Sequence, residues 1–207
     1  SVEWTMRTCG FAATEIFTTA FGAGVYVAAG ASGRLNTSTD AINWTLRTGA
    51  FFANAINQVI FESPNFLGVS NGNVYNSSTN GINWVFRTSG FATSNNIIKR
   101  IIFANSLYLK CGQFGKLNTS TNGIEWTLRT SGLAIQQING IAYSSAANAY
   151  FCVDGTGRIS SSTNAIEWTL RTSGTTQALY SLFYASGFYV AGGTNGVLNT
   201  SYSQASG

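Results

Sequence analysis

Ser78-Thr79-Asn80-Gly81-Ile82-Asn83-Trp84-Val85-Phe86-Arg87-Thr88 is one of four near-copies of a single phrase. Its first half recurs as Ser38-Thr39-Asp40-Ala41-Ile42-Asn43-Trp44, as Ser120-Thr121-Asn122-Gly123-Ile124-Glu125-Trp126 and as Ser162-Thr163-Asn164-Ala165-Ile166-Glu167-Trp168. A shorter fifth copy surrounds Trp4. The five tryptophans are 40, 40, 42 and 42 residues apart, and an arginine follows each by three residues: Arg7, Arg47, Arg87, Arg129 and Arg171. Self-similarity at such a period marks a repeat architecture, in which one supersecondary unit buries its faces only against its neighbours.

Turn residues divide each period into four short strands, a to d. In the second unit the pattern predicts strand a over Ile56 to Phe61, b over Phe66 to Ser70, c over Val74 to Thr79 and d over Ile82 to Thr88. The Asn80-Gly81 step predicts a type I′ hairpin between c and d. Alternation along d places Ile82, Trp84 and Phe86 on one face, with the tryptophan column buried between units. Strand a recurs near Ile16, Ile60, Ile101, Ile141 and Leu182, and strand b near Tyr26, Phe66, Tyr108, Tyr150 and Tyr189. Strand c starts at Arg34, Val74, Lys116, Arg158 and Val197.

Strand d is out of phase, because its first copy, Val2 to Thr8, comes before any strand a. Four strands in about 40–45 residues define a β-propeller blade. The expectation is therefore an all-β, single-domain, five-bladed propeller over residues 1–207. Its blades fall near 9–48, 49–88, 89–130, 131–172 and 173–207 plus 1–8, and the ring is closed by residues 2–8 pairing beside 197–202.

Composition agrees with an all-β chain. Charged residues are 9% of the 207, against roughly 25% in ordinary domains, while glycine reaches 23 and aromatics 14%. The net charge of +4 is spread without a basic block, so nucleic acid is not an expected partner. Histidine is absent, which removes the usual proton shuttle and the commonest metal ligand; neither metal nor cofactor is expected. Glycoside hydrolysis needs two carboxyl groups within about 5–10 Å. Glu3, Glu125 and Glu167 occupy one column on separate units, while Glu15, Glu62, Asp40 and Asp154 are scattered, so the chain reads as a non-enzyme. Cys9, Cys111 and Cys152 read as free thiols, the last two in the core and Cys9 in a loop position where other units carry Ser89, Ser131 and Ser173. The start of the chain has no leader pattern. The longest uncharged run, between Glu15 and Arg34, is broken by Phe21-Gly22-Ala23-Gly24, so no membrane insertion is expected. Asn36, Asn76, Asn118 and Asn199, each followed two residues later by Ser, read as strand pattern and not as glycan acceptors. The arginine column reads as structural, with stems on neighbouring strands and heads on loop carbonyls.

The Ser-x-Asn/Asp-Gly-x-x-Trp phrase resembles a shortened Asp-box (BNR-like) repeat. Five units whose outer strand reads Asn-Trp or Glu-Trp followed by Arg are similar to the tachylectin-type propeller lectins. That resemblance implies non-catalytic, multivalent carbohydrate binding. Where tachylectin-like blades carry Gly-Gly-Trp in the d–a loop, the loops here end at Phe11, Phe51, Phe91, Leu133 and Thr175. The d–a and b–c loops share one face, so the candidate ligand residues are Phe11, Phe51 and Phe91 with Arg34, Lys116 and Arg158. An aromatic beside hydrogen-bonding groups suits a small polar ligand such as a sugar, and several weak sites on one face raise avidity by about 10²–10⁴. The expected partners are glycans or a host-surface receptor, at an extracellular or virion surface, with an oligomer compatible. The alternative is a structural or adhesive part of a larger particle, such as a viral tail or capsid attachment, or a recently duplicated or designed propeller without a dedicated ligand.

Overall fold

The computed structural model describes residues 3–11, 14–47, 51–91 and 96–202. Strands joined by turns make up the described residues, and no helix is long and apolar enough to cross a membrane. The chain forms two compact units, 1–88 and 89–207, divided at the boundary between the second and third repeats.

Unit 1 contains two four-stranded antiparallel sheets. Sheet A is β1 (Ile16–Gly22), β2 (Val25–Gly30), β3 (Leu35–Ser38) and β4 (Thr45–Arg47); sheet B is β5 (Ile56–Glu62), β6 (Asn65–Ser70), β7 (Tyr75–Ser78) and β8 (Val85–Arg87). Unit 2 contains three sheets. Sheet C is β9 (Ile98–Ala104), β10 (Leu107–Gly112), β11 (Lys116–Ser120) and β12 (Thr127–Thr130); sheet D is β13 (Ile138–Ser144), β14 (Ala149–Asp154), β15 (Ile159–Ser162) and β16 (Thr169–Arg171). Sheet E has β17 (Leu179–Ala185), β18 (Phe188–Gly193) and β19 (Leu198–Tyr202). In each sheet the strands pair in sequence order, as hairpin-connected repeats require. The recurring unit is therefore the predicted one.

Two devices repeat in every sheet. An aromatic pair seals the a–b hairpin: Phe21 on Tyr26, Phe61 on Phe66, Phe103 on Tyr108, Tyr143 on Tyr150 and Tyr184 on Tyr189, with ring centroids 4.4–4.8 Å apart. Near the start of each strand a, one extra residue bulges out of the ladder: Phe17, Asn57, Lys99, Asn139 and Tyr180. The core lies between sheets within each unit. Val27, Leu35, Phe51, Val59 and Phe66 form it in unit 1, and Leu109, Leu117, Leu133, Ile141, Tyr150 and Cys152 in unit 2.

Three expectations are corrected. Strand d is shorter than its pattern: β8 begins at Val85, not Ile82. The Asn80 side chain accepts the backbone N–H groups of Ile82 and Asn83, both at 2.9 Å, and so holds them in an Asx turn, away from the ladder. Asp40, Asn122 and Asn164 do the same in their units. That turn has one left-handed residue, Gly81, whereas consecutive left-handed pairs, as type I′ needs, occur at the a–b hairpins Ala23-Gly24, Asn105-Ser106 and Ser186-Gly187 and at the b–c turns Ser32-Gly33, Gly72-Asn73, Phe114-Gly115 and Asn195-Gly196. Trp44, Trp84, Trp126 and Trp168 are half-buried at the outer edge and not enclosed, because an outer strand has a covering neighbour on one side only.

The described residues do not show the closing pair of the ring. Sheet E has three strands among the described residues, and residues 3–9 form none; Trp4 is 94% and Met6 96% exposed. In sheets A to D a short Asx turn folds strand d straight back onto strand c. The Trp4 phrase and β19 lie far apart in sequence, so no local turn geometry sets their pairing.

Candidate functional site

The face made by the d–a and b–c loops is built from strand c outward. Asn36 donates through Nδ2 to the carbonyl of Cys9, and Asn199 to that of Ser173 at 2.5 Å. Ser160, in the same column, donates to the carbonyl of Ser131 at 2.7 Å. In these three units strand c holds the d–a loop by a side-chain bond, and burial leaves Asn36, Asn76 and Asn118 no room for a glycan. In the Phe51 and Leu133 loops the chain then turns on itself, the Phe51 carbonyl accepting the N–H of Asn54 at 3.1 Å and that of Leu133 the N–H of Gln136 at 3.3 Å.

The arginine column is pinned one strand away. Arg47, Arg87, Arg129 and Arg171 each donate Nε to a hydroxyl of strand c, Thr37, Ser77, Thr119 and Ser161, at 2.7–2.9 Å. These heads bond hydroxyls, not the loop carbonyls expected.

The candidate ligand residues fall in two groups. Phe11, Phe51 and Phe91 are buried, so they seal the tops of their sheets and offer no exposed ring to a ligand. Phe51 shows why. Its ring stands 5.4 Å from that of Trp84, and its Cζ occupies the space in which a side chain at Gly68 would begin. The basic residues do meet the d–a loops, as expected, but as struts. Arg34 donates Nη1 to the carbonyl of Gly10 at 3.3 Å. Arg158 pairs with Asp154 at 2.8 Å and donates Nη2 to the carbonyl of Leu133 at 2.6 Å. The Lys116 ammonium is 5.9 Å from the Phe91 ring.

What these loops expose, taken unit by unit, is a different set. Phe52 is 72% exposed at φ 55°, and Phe114 is 57% exposed at φ 57°. Ile135, in the loop that packs under the Phe114-Gly115 turn, is also exposed: a β-carbon on Gly115 would lie 1.7 Å from the carbonyl of Ala134. A left-handed aromatic residue is strained by roughly 1–3 kcal/mol. The signal was present in the sequence. Phe114 stands where the other turns have Ser32, Gly72 and Asn195, and Phe51-Phe52 are two adjacent rings of which a tight turn buries one.

Backbone N–H groups of Asn43 and Ile42 hold the Asp40 carboxyl well below the usual carboxylate range. Burial pushes the Cys111 thiol far up and that of Cys152 up to about 12, so neither is a thiolate at neutral pH. Lys110, fully buried in β10, holds its ammonium 3.7 Å from the Trp126 ring centroid, and burial pulls its pKa well below the lysine range. No cluster of three or more His, Cys, Asp or Glu side chains among the described residues could hold a metal. In unit 2 a cleft of about 610 Å³ runs beside β15, β16, β18 and β19, lined by Phe151, Arg171, Leu182, Tyr189, Ala191 and Thr200.

Cys9 supplies its backbone carbonyl to Asn36. Cys9→Ser is therefore expected to change stability by no more than about 0.5 kcal/mol, read from the urea midpoint; a loss of several times that would show the thiol itself packs.

No protein-family model and no curated protein matches the sequence. Solved structures do match, and they are β-propellers. A chain of the nidogen/laminin complex is 12% identical, with a TM-score of 0.66 over 87% of this chain and 73% of its own. YCF48 bound to D1 peptide is 16% identical, with a TM-score of 0.69 over 91% of this chain and 63% of its own. The extracellular domain of a hybrid two-component system from B. thetaiotaomicron is 12% identical, with a TM-score of 0.70 over 90% of this chain and 27% of its own. This chain has the β-propeller fold.

Proposed function

We propose that this chain is a non-catalytic recognition module whose binding face is the d–a and b–c loop surface, with carbohydrate as its ligand class. The observation that carries the reading is Phe114, held exposed in a left-handed turn position where Asn or Gly would sit without strain. Phe52 repeats the arrangement in unit 1. A flat ring framed by turn backbone suits the C–H face of a pyranose, and separate rings suit multivalent capture. The Asp-box likeness, the tachylectin-type comparison and an extracellular or virion-surface setting belong to the same proposal. So does closure of a five-bladed ring by residues 1–8 as the fourth strand of sheet E. Other propellers are found with partners, as the nidogen/laminin complex and YCF48 with D1 peptide illustrate.

A glycan array of the wild type beside Phe114→Asn and Phe52→Ala tests this. Binding by the wild type is expected to weaken about tenfold in Phe114→Asn, the worth of one aromatic contact. Asn prefers this turn geometry, so the same variant should keep its stability or gain up to about 1 kcal/mol. Silence of the wild type on every glycan overturns the carbohydrate reading. A second reading, an assembly or adhesive component, is favoured by the uncovered edge of β19 and the cleft beside it.

A further inference from the structure

In sheets A to D the outer strand docks through one set of contacts. It pairs with strand c in a constant register, Leu35 with Arg47, Asn36 with Leu46 and Thr37 with Thr45 in sheet A, and Ile159 with Arg171, Ser160 with Leu170 and Ser161 with Thr169 in sheet D. Its arginine donates Nε to the strand-c hydroxyl. In sheets B and C its tryptophan lies over the fourth residue of strand b, Trp84 beside Gly68 and Trp126 over Lys110.

Sheet E carries the receiving half of this set. Thr200 stands in the hydroxyl column, Asn199 makes the strand-c bond to its d–a loop, and Ala191 occupies the Gly68 and Lys110 column. Among the described residues β19 pairs with β18 alone, and the cleft of about 610 Å³ opens beside it. The giving half is Glu3-Trp4-Thr5-Met6-Arg7-Thr8. It matches Glu125 to Thr130 and Glu167 to Thr172 at five of six positions, differing only in Met for Leu, yet lies in no sheet with Trp4 and Met6 in solvent. Among the described residues, then, residues 3–8 pair in no sheet, and Leu198 to Thr200 of β19 present an edge of matching chemistry.

We propose that the cleft of sheet E is a strand-acceptor site that takes the residue 3–8 strand of a second copy of this chain. Resting on the closure proposed above, the acceptor reads the strand and not the chain that carries it, so concentration favours exchange between copies. The register that sheets A to D impose pairs Arg7 with Leu198, Met6 with Asn199 and Thr5 with Thr200. Arg7 Nε then donates to the Thr200 hydroxyl, and the Trp4 indole lies over Ala191.

Two full-length variants test it. Trp4→Ala disables the donor and leaves the acceptor; Thr200→Arg, at an exposed position, sets a like charge against Arg7 and leaves the donor. Each alone is expected to be a folded monomer in sedimentation velocity. Mixed, they are expected to form a 1:1 complex that native mass spectrometry resolves as a heterodimer. An excess of peptide 1–8 should dissolve that complex, and the same peptide with Trp4→Ala should not. A mixture that remains monomeric while both variants keep the wild-type melting temperature overturns the proposal. Glycan binding is read separately, so its loss leaves this result standing.

Discussion

Phe51→Ala is expected to lower stability by about 3–5 kcal/mol, the usual cost of deleting a fully buried aromatic side chain. The ring fills the hollow that Gly68 leaves in β6, and contacts Trp84 edge-on. Removing it opens a cavity walled by a glycine, which has no side chain to collapse inward. A total stability of about 5–15 kcal/mol makes this a large fraction. Urea unfolding followed by tryptophan fluorescence gives the number directly. Gly68→Ala approaches the same packing from the other side, because its β-carbon would fall 2.5 Å from Phe51 Cζ. A midpoint unchanged by Phe51→Ala, with glycan binding lost, would return this residue to the ligand face where its sequence position first suggested it.

Lys110→Met is expected to raise stability, with an effect that depends on pH. Burying a cation costs several kcal/mol, and the cation–π contact with Trp126 returns about 2 kcal/mol. An apolar chain of similar length keeps the packing without the desolvation. The sign follows from proton counts. The folded pKa of Lys110 is depressed, while the unfolded chain keeps a value of about 10.4. Between the two the unfolded state binds more protons, so wild-type stability rises with pH through that interval. Below it the penalty is complete, and the variant should exceed the wild type by roughly 1–4 kcal/mol. The gap should close as pH approaches about 10.4. Comparing the pair at each pH removes the tyrosines, of which Tyr150 is itself shifted upward by burial. A gap that does not change with pH would mean that Lys110 is solvated in the folded protein.

The repeat was legible because its phrase couples distant requirements in one short stretch: an Asx turn, an indole for the edge, and an arginine for the strand-c hydroxyl. Strand order within each sheet followed, since consecutive hairpins leave little choice. The binding face was legible only as a location. Phe51 and Phe52 are the same residue type one position apart, and which ring turns inward depends on Gly68, 16 residues further along. Phe114 could have been found by alignment within the chain, as the one aromatic in a column of Ser32, Gly72 and Asn195. The length of strand d was overread because alternation continues through Ile82 and Asn83 although Asn80 already holds their N–H groups. Closure rested on matching the two ends of a pattern, which identifies partners without supplying the turn that joins them.

The extra residue near the start of each strand a has a consequence for variation. Phe17, Asn57, Lys99, Asn139 and Tyr180 share a place in the backbone and almost nothing in chemistry. Where that residue is exposed, as Phe17 and Tyr180 are, it stands outside the ladder and tolerates exchange, whereas buried Asn139 donates to the Leu179 carbonyl and Asn57 to the Asn71 side chain. At those two exposed bulges surface character can be rewritten while the frame stays as it is.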